Sequence, residues 1–356
     1  MTFKERADAF WRWFGLNEKR LSDMFAYPEQ YESGDVASFI SNGVRLISDD
    51  VRFRAGGGFE FIFSPGGEEY LFYLFPYLIA RMPRRHQRKW KFFPFTPGSG
   101  GRNFDLEICG KAAGMDEIAV KADYDVEKDC FSVDFYHKAW NGSEKNDACG
   151  AFRAIADIAV GEGFAEVYID EVKPAAARSE GMFPLTELER RMRRVITASG
   201  REIVSRPDRR YGAYTFTPRK KDALRYDVFT GVTGYMALIN EYYEASAESA
   251  DKLKRCGAEA LFLLFPYDSA EKDPANLLEL RREIESKLRF EVLGEQDSGE
   301  EIGIVLGGAM GGTCVYIDLL LYDAARFEDK LRVLLSAYPY KFYLSEFRQK
   351  SRLRLV

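Results

Sequence analysis

The residue types that carry most nucleophilic and metal chemistry are scarce in this chain. It has two histidines, His86 and His137, and five scattered cysteines: Cys109, Cys130, Cys149, Cys256 and Cys314. No H-E-x-x-H, H-x-H or C-x-x-C spacing occurs, so neither a zinc site nor any other metal or cofactor is expected. Cys149 and His137 form a thiol dyad only if the fold joins them; a Cys packed as a small apolar residue is the favoured reading. Carboxylates offer more. Asp134, Asp170, Asp227 and Asp318 each interrupt an apolar, strand-like run ("VDF", "YIDE", "YDVF", "YIDLLL"). A buried carboxylate with a raised pKa can act as a general acid or base, which makes Asp318 and Asp227 the candidates for a hydrolase. The competing reading, an internal ion pair or a backbone-bonded carboxylate, is preferred.

Two further patterns invite a functional reading. In "GIVLGGAMGGTCVYIDLLLYD", Gly307 and Gly312 have the spacing of a phosphate loop. Thr313 stands where the lysine belongs, and the residues that follow alternate as a strand rather than opening a helix. The glycines are therefore expected to turn a hairpin. Basic residues form two concentrations. "RMPRRHQRKWK" from Arg81 has no acid, and residues 178–225 hold thirteen Lys/Arg against six Asp/Glu, although the chain's formal net charge is −5. Arg84, Arg85, Arg88 and Trp90, with Arg190, Arg194, Arg209 and Arg210, are the binding candidates. They suit a protein partner, or nucleic acid with arginine on phosphate and an aromatic ring on base. No recognition motif accompanies them, so nucleic acid is the less favoured partner.

The elements that position these residues follow a recurring order. "VRFRAGGGFEFIFSP" reads as a β-hairpin, "EEYLFYLFPYLIARM" as a helix containing Pro76, and "KWKFFPF" as a strand. The order recurs in "IAVKADYDVEKDCFSVDFYH", the helix "SEKNDACGAFRAIADIAV" capped by Ser143, and the strand "FAEVYIDEV". A third copy runs through "EIGIVLGGAMGGTCVYIDLLLYD", "DAARFEDKLRVLLSAYP" and "YKFYLSEF". Before the hairpins lie an aromatic N-terminal helix and a second helix capped by Asp35. Before the third copy come a helix ending at Gly257, the strand "AEALFLLFPYD", and a helix capped by Asp273 with Pro274 at its first position. The fold class expected is α+β: repeated hairpin–helix–strand units form antiparallel sheets with helices on one face, ferredoxin-like in the C-terminal part.

A chain of 356 residues predicts more than one core. The polar stretch 198–222 is expected to separate an N-terminal region, 1–217 (subunits 1–97 and 98–200), from a C-terminal domain, 218–356. The first twenty residues lack a continuous apolar segment, and the longest apolar run is too short to span a bilayer. With unpaired cysteines, this predicts a cytoplasmic protein away from membranes.

"FWRWFGLNEKRL", "KWKFFPFTPG" and "VGEGFAEVYIDEV" resemble a family of uncharacterised bacterial cytosolic proteins with a W-x-W-F N-terminal helix. The matching residues are Trp11, Trp13, Phe14, Asn17, Trp90, Gly161 and Glu162. "LRYDVFTG", "GAEALFLLF" and "YIDLLLYD" are similar to small α+β domains related to inhibitors of ribonuclease E. The first resemblance implies no established active site; the second implies at most a regulatory binding role. Together with the missing catalytic motifs, this leads to the expectation of a non-catalytic, macromolecule-binding protein of the regulatory or immunity type.

Overall fold

The computed structural model describes residues 1–108, 111–138, 145–219, 224–268 and 273–356. Ser143, Cys109 and the Cys149 side chain lie outside the described residues, and with them the expected cap and thiol dyad. Helices and sheets are both present, as expected of a mixed α+β chain. Among the described residues no helix is long and apolar enough to cross a membrane.

Along the chain, α1 (Phe3–Ala26) and α2 (Ser33–Val44) precede the hairpin β1 (Arg52–Gly56) and β2 (Glu60–Ser64), then α3 (Leu71–Ala80) and β3 (Lys91–Phe93). Next come β4 (Asp105–Ile108), β5 (Lys111–Gly114), β6 (Ala119–Asp125), β7 (Cys130–Tyr136), α4 (Lys145–Val160), α5 (Glu162–Tyr168), β8 (Ile169–Pro174), β9 (Phe183–Pro184) and α6 (Leu188–Ala198). The remainder is β10 (Gly212–Thr215), β11 (Val228–Thr233), α7 (Met236–Glu244), α8 (Glu248–Arg255), β12 (Glu259–Pro266) and α9 (Pro274–Lys287). The chain closes with β13 (Gly303–Gly311), β14 (Cys314–Leu321), α10 (Ala324–Leu335), β15 (Tyr343–Glu346) and β16 (Arg354–Leu355).

Two compact units result: one of residues 1–61, 65–92 and 211–356, the other of 62–64 and 93–210. This division differs from the boundary expected at 217/218, because the N-terminal residues group with the C-terminal ones. Hydrogen bonds give the reason. Thr2 and Glu5 form a reciprocal capping box at the start of α1. Just inside it the Phe3 and Lys4 N–H groups donate to the carbonyls of Gly257 and Tyr322, at 2.8 and 3.0 Å. A Cβ on Gly257, at φ +83°, would lie 2.4 Å from the Met1 carbonyl, so this approach requires glycine. The Trp11 indole N–H donates to the Leu78 carbonyl, and the Tyr322 hydroxyl to the Tyr73 carbonyl.

In the first unit a seven-stranded sheet has the order β10-β11-β13-β14-β12-β15-β16, antiparallel at every described pairing. Alternate residues Leu261, Leu263 and Phe265 of β12, and Val315, Ile317, Leu319 and Leu321 of β14, enter one core with Ile284, Leu288, Phe327 and Leu331 from the helical segments. Each such side chain contributes about 1.5–3 kcal/mol on burial. The opposite side of the same strands is also buried, which is why they read as continuous apolar runs. Here β12 intervenes between the hairpin β13–β14 and the strand β15, whereas the hairpin β1–β2 is followed directly by β3.

The second unit has a four-stranded sheet, β8-β7-β6-β9, around a core that includes Phe131, Val133, Phe135, Phe152, Ile155 and Tyr168. The β7–β8 pair is parallel, a departure from all-antiparallel sheets. The crossover through α4 and α5 returns the chain to the end from which β7 started, which forces that direction. The segment "FAEVYIDEV" is accordingly divided: residues 162–168 are helix, and the strand starts at Ile169. In β14 the same tetrapeptide "VYID" is strand throughout.

Candidate functional site

The two sequence-nominated carboxylates belong to one polar network in the first unit, buried at Asp318 and half-buried at Asp227. Asp318 is fully buried on β14, opposite Gly307 of β13. The fully buried Arg225 guanidinium donates to it twice, from Nη1 to Oδ1 at 2.5 Å and from Nη2 to Oδ2 at 3.2 Å. Nη2 also donates to the Tyr214 hydroxyl at 3.0 Å, and the guanidinium sits between 5.1 and 5.2 Å from the ring centres of Phe262, Tyr316 and Phe347. Burial by itself pulls the guanidinium pKa down. The adjacent Asp318 carboxylate outweighs it and holds the group above its ordinary value. Burial likewise pushes the Tyr214 phenol up to about 12.

Asp227 is joined to this pair through Tyr316. The Arg225 N–H donates to the Tyr316 hydroxyl at 3.0 Å, which donates to Asp227 Oδ1 at 2.6 Å. Oδ2 accepts from the Thr313 and Cys314 N–H groups and the Thr313 hydroxyl, at 2.9, 3.0 and 2.9 Å. Asp227 thus holds the β13–β14 turn, while Asp318 holds Arg225. Their inner lone pairs point at different partners, so the arrangement supports a structural network better than a pair of carboxylates converging on a substrate. The glycines divide as well. Gly311 ends β13 and Gly312 lies in the turn, but Gly307 and Gly308 are inside β13. A Cβ there would come within 2.0 Å of the Val232 carbonyl or 2.4 Å of the Tyr316 carbonyl. Gly307 has φ +139° beside a register shift, so these two glycines permit a bulge and close strand approach rather than a bend, a correction to the expectation that all of them turn the chain.

Trp90 is also corrected. The ring is buried, packed edge-on to Phe14, Phe25 and Phe59 at 5.1, 5.1 and 5.3 Å, and cannot stack on a base. Its place in an aromatic-rich core follows from the apolar face of α1 and the hairpin closing on it. Arg84, Arg85 and Arg88 remain exposed. Arg85 donates from Nε to Nε2 of the buried His86 at 3.1 Å, and His86 Nδ1 lies 2.9 Å from Glu18. Among the described residues Arg84 and Arg88 have no ion-pair partner. In the second unit Arg190 pairs with Glu187 at 3.1 Å, and Arg210 pairs with Asp129 at 3.1 Å while covering the Tyr168 ring. Arg194 and Arg209 are exposed. The nominated arginines are therefore split between the two units, and those with acidic neighbours are partly neutralised.

In the second unit Glu162 is buried and ties three segments together. Its carboxylate accepts from the Ser64 hydroxyl at 2.7 Å and the Thr96 N–H at 3.1 Å, directly after Gly161 at φ +93°. Arg153 nearby bridges Asp157 and Glu166 at 3.1 and 2.9 Å. Burial, only partly offset by Arg153, raises Asp157 to about 6. Among the described residues no group of His, Cys, Asp and Glu is placed to hold a metal ion.

An accessible concavity lies elsewhere. A cleft of about 630 Å³ opens in the first unit between the C-terminal end of α1, the helix α2 and the strand β1. The α2 wall is Ser33, Val36, Ala37 and Ile40, a stripe at helical spacing. Met24, Phe25, Pro28 and Tyr31 close one end, and Phe53 to Gly57 form the opposite wall. The volume falls in the range of ligand-binding clefts, with an apolar lining and few polar groups. Sequence reading missed it because its walls come from three elements, each unremarkable alone. The run "AGGG" was the one available signal.

Comparison with protein-family models, with curated proteins and with solved structures finds no match to this chain. Neither resemblance seen in the sequence contributes to the reading of these sites. The residues that carried the first one have packing roles here: Trp11, Phe14 and Trp90 are core, and Asn17 bonds back to the Trp13 carbonyl.

Proposed function

We propose that this chain is a non-catalytic cytoplasmic protein that binds a segment of another protein in the cleft between α2 and β1, in a regulatory or immunity-type role. The observation that carries this reading is the cleft itself: it is open, apolar and bordered by a helix stripe and an outer strand. Asp227 and Asp318 support it indirectly, since their oxygens are engaged in internal bonds. Free thiols at Cys130, Cys256 and Cys314 support the cytoplasmic assignment. Hairpin–helix–strand units, ferredoxin-like in the C-terminal part, suit a rigid scaffold that presents such a groove.

The test is selection of a phage-displayed library of random eight-residue peptides on the full chain. Ala37 is exposed and lines the cleft, so Ala37→Trp fills it without disturbing the core. Peptides that bind the wild type and are lost with Ala37→Trp are expected. Failure to select any peptide, or selection of peptides indifferent to Ala37→Trp, overturns the reading.

A further inference from the structure

The strand wall of the cleft is built differently from the helix wall. Four consecutive residues of β1, Phe53 to Gly56, line it together with Gly57 of the turn. A strand sends successive side chains to opposite faces, so a wall made from one face would use every second residue. A consecutive run means that β1 offers its edge. β1 is the outer strand in the order β1-β2-β3, so among the described residues that edge carries no neighbouring strand. An unpaired edge of this kind is a template for an added strand.

Two more observations bear on what approaches it. Gly56 and Gly57 do not have left-handed backbone, and a Cβ on either would meet nothing within 4 Å. Neither conformation nor internal packing demands glycine at these positions. Their effect is bare main chain on the cleft wall, where another backbone can come close. Arg54 is the one charged side chain in the lining; it is exposed and has no ion-pair partner among the described residues.

We infer that the occupant is an extended segment of a partner protein that adds as a further strand along β1 and sets an Asp or Glu side chain against Arg54. This rests on the protein-binding reading above and specifies its chemistry. Apolar side chains of the segment meet Val36, Ile40 and Phe53, and its main chain pairs with that of residues 52–57. Charge complementarity argues against a second copy of this chain as occupant. Antiparallel pairing of β1 with itself about Arg54 would bring two Arg54 side chains directly opposite, which is destabilising. An acidic partner strand removes that repulsion.

The experiment uses the cleft-binding peptides, resynthesised in variant forms and titrated into the full chain by fluorescence anisotropy. Strand addition uses the amides of alternate residues. N-methylation of one alternate set should weaken binding by about tenfold or more, because each lost ladder bond leaves a carbonyl unpaired, while the other set is tolerated. The selected peptides should carry an Asp or Glu. Its change to Lys should weaken binding to the wild type by about tenfold, and Arg54→Glu should recover the Lys peptide. Arg54 is exposed, so this variant is expected to fold, and its circular dichroism spectrum checks that. Amide exchange of residues 52–57 should slow on binding.

Equal tolerance of both N-methylated sets overturns strand addition but leaves the cleft-binding reading standing. Indifference of the peptides to Arg54→Glu overturns the acidic assignment. A dimer of the free chain with exchange protection confined to residues 52–57 assigns the edge to a second copy and also overturns the inference.

Discussion

Replacement of Asp318 by Asn tests the claim that the strand carboxylates are engaged internally. The substitution keeps the shape of the side chain and removes its charge. Arg225 and Asp318 are both fully buried, so the guanidinium would keep only neutral neighbours, the Asn carbonyl oxygen, the Tyr214 hydroxyl and three aromatic rings, and face no negative charge. Removing one partner of a buried pair costs about 3–5 kcal/mol, because the remaining charge cannot be hydrated. A domain has about 5–15 kcal/mol to lose, so the variant should fold but unfold early. At about 2–4 °C per kcal/mol for a unit of this size, the midpoint should fall by about 6–20 °C. The double replacement Arg225→Met with Asp318→Leu removes both charges and should recover most of the loss, since apolar substitutes for a buried pair are often neutral. Thermal and urea unfolding followed by tryptophan fluorescence in a Trp140→Phe background reads the right unit, because the other three tryptophans, Trp11, Trp13 and Trp90, all belong to it. The reasoning is refuted if Asp318→Asn costs less than about 1 kcal/mol, or if the double variant loses the sum of the single losses.

Two other predictions concern the second unit and the aromatic core. Burial raises Asp157 from the usual carboxylate value to about 6, so the folded state binds its proton more tightly than the unfolded chain. The stability linked to this group is present below about pH 4, is lost as pH rises to about 6, and amounts to about 3 kcal/mol. Asp157→Asn should flatten the fall in stability of this unit across that window; an unchanged slope in chemical unfolding at pH 4, 5 and 6 would remove the claim. Trp90→Ala should cost about 3–5 kcal/mol as a core cavity, while Arg88→Gln stays within about 0.5 kcal/mol. Equal midpoints for the two variants in thermal unfolding would contradict the placement of Trp90 in the core.

Several elements were legible in the sequence because their signals are local. The β1–β2, β6–β7 and β13–β14 hairpins, the Asp273 cap with Pro274, and the Gly257 stop of α8 each depend on a few neighbouring residues. Residues 164–168 of the expected strand "FAEVYIDEV" are helix; the apolar run is short, and such runs do not discriminate helix from strand by period. Trp90 was nominated for binding because it stands among arginines. A sequence neighbour says nothing about which way a side chain points once α1 and the hairpin close over it. Asp318 was recognisable as a buried carboxylate, but its partner was not: Arg225 lies in a basic stretch, and nothing nearby distinguishes it from the exposed arginines around it.

The sequence by itself determined most of the helices and strands and several of their ends, though not the helix at 164–168 or the start of α2, where Asp35 lies in the first turn rather than at the cap. It also determined that apolar strands with interrupting carboxylates must bury charge. Caps, turns and alternation act over a few residues, so the chain carries them wherever it folds. Only the tertiary structure decided that residues 1–61 and 65–92 join 211–356, that Arg225 answers Asp318, and that β1 is left with an open edge beside α2. Those outcomes depend on which distant surfaces pair, a choice made by the burial and hydrogen bonding of the whole unit rather than by any stretch of it.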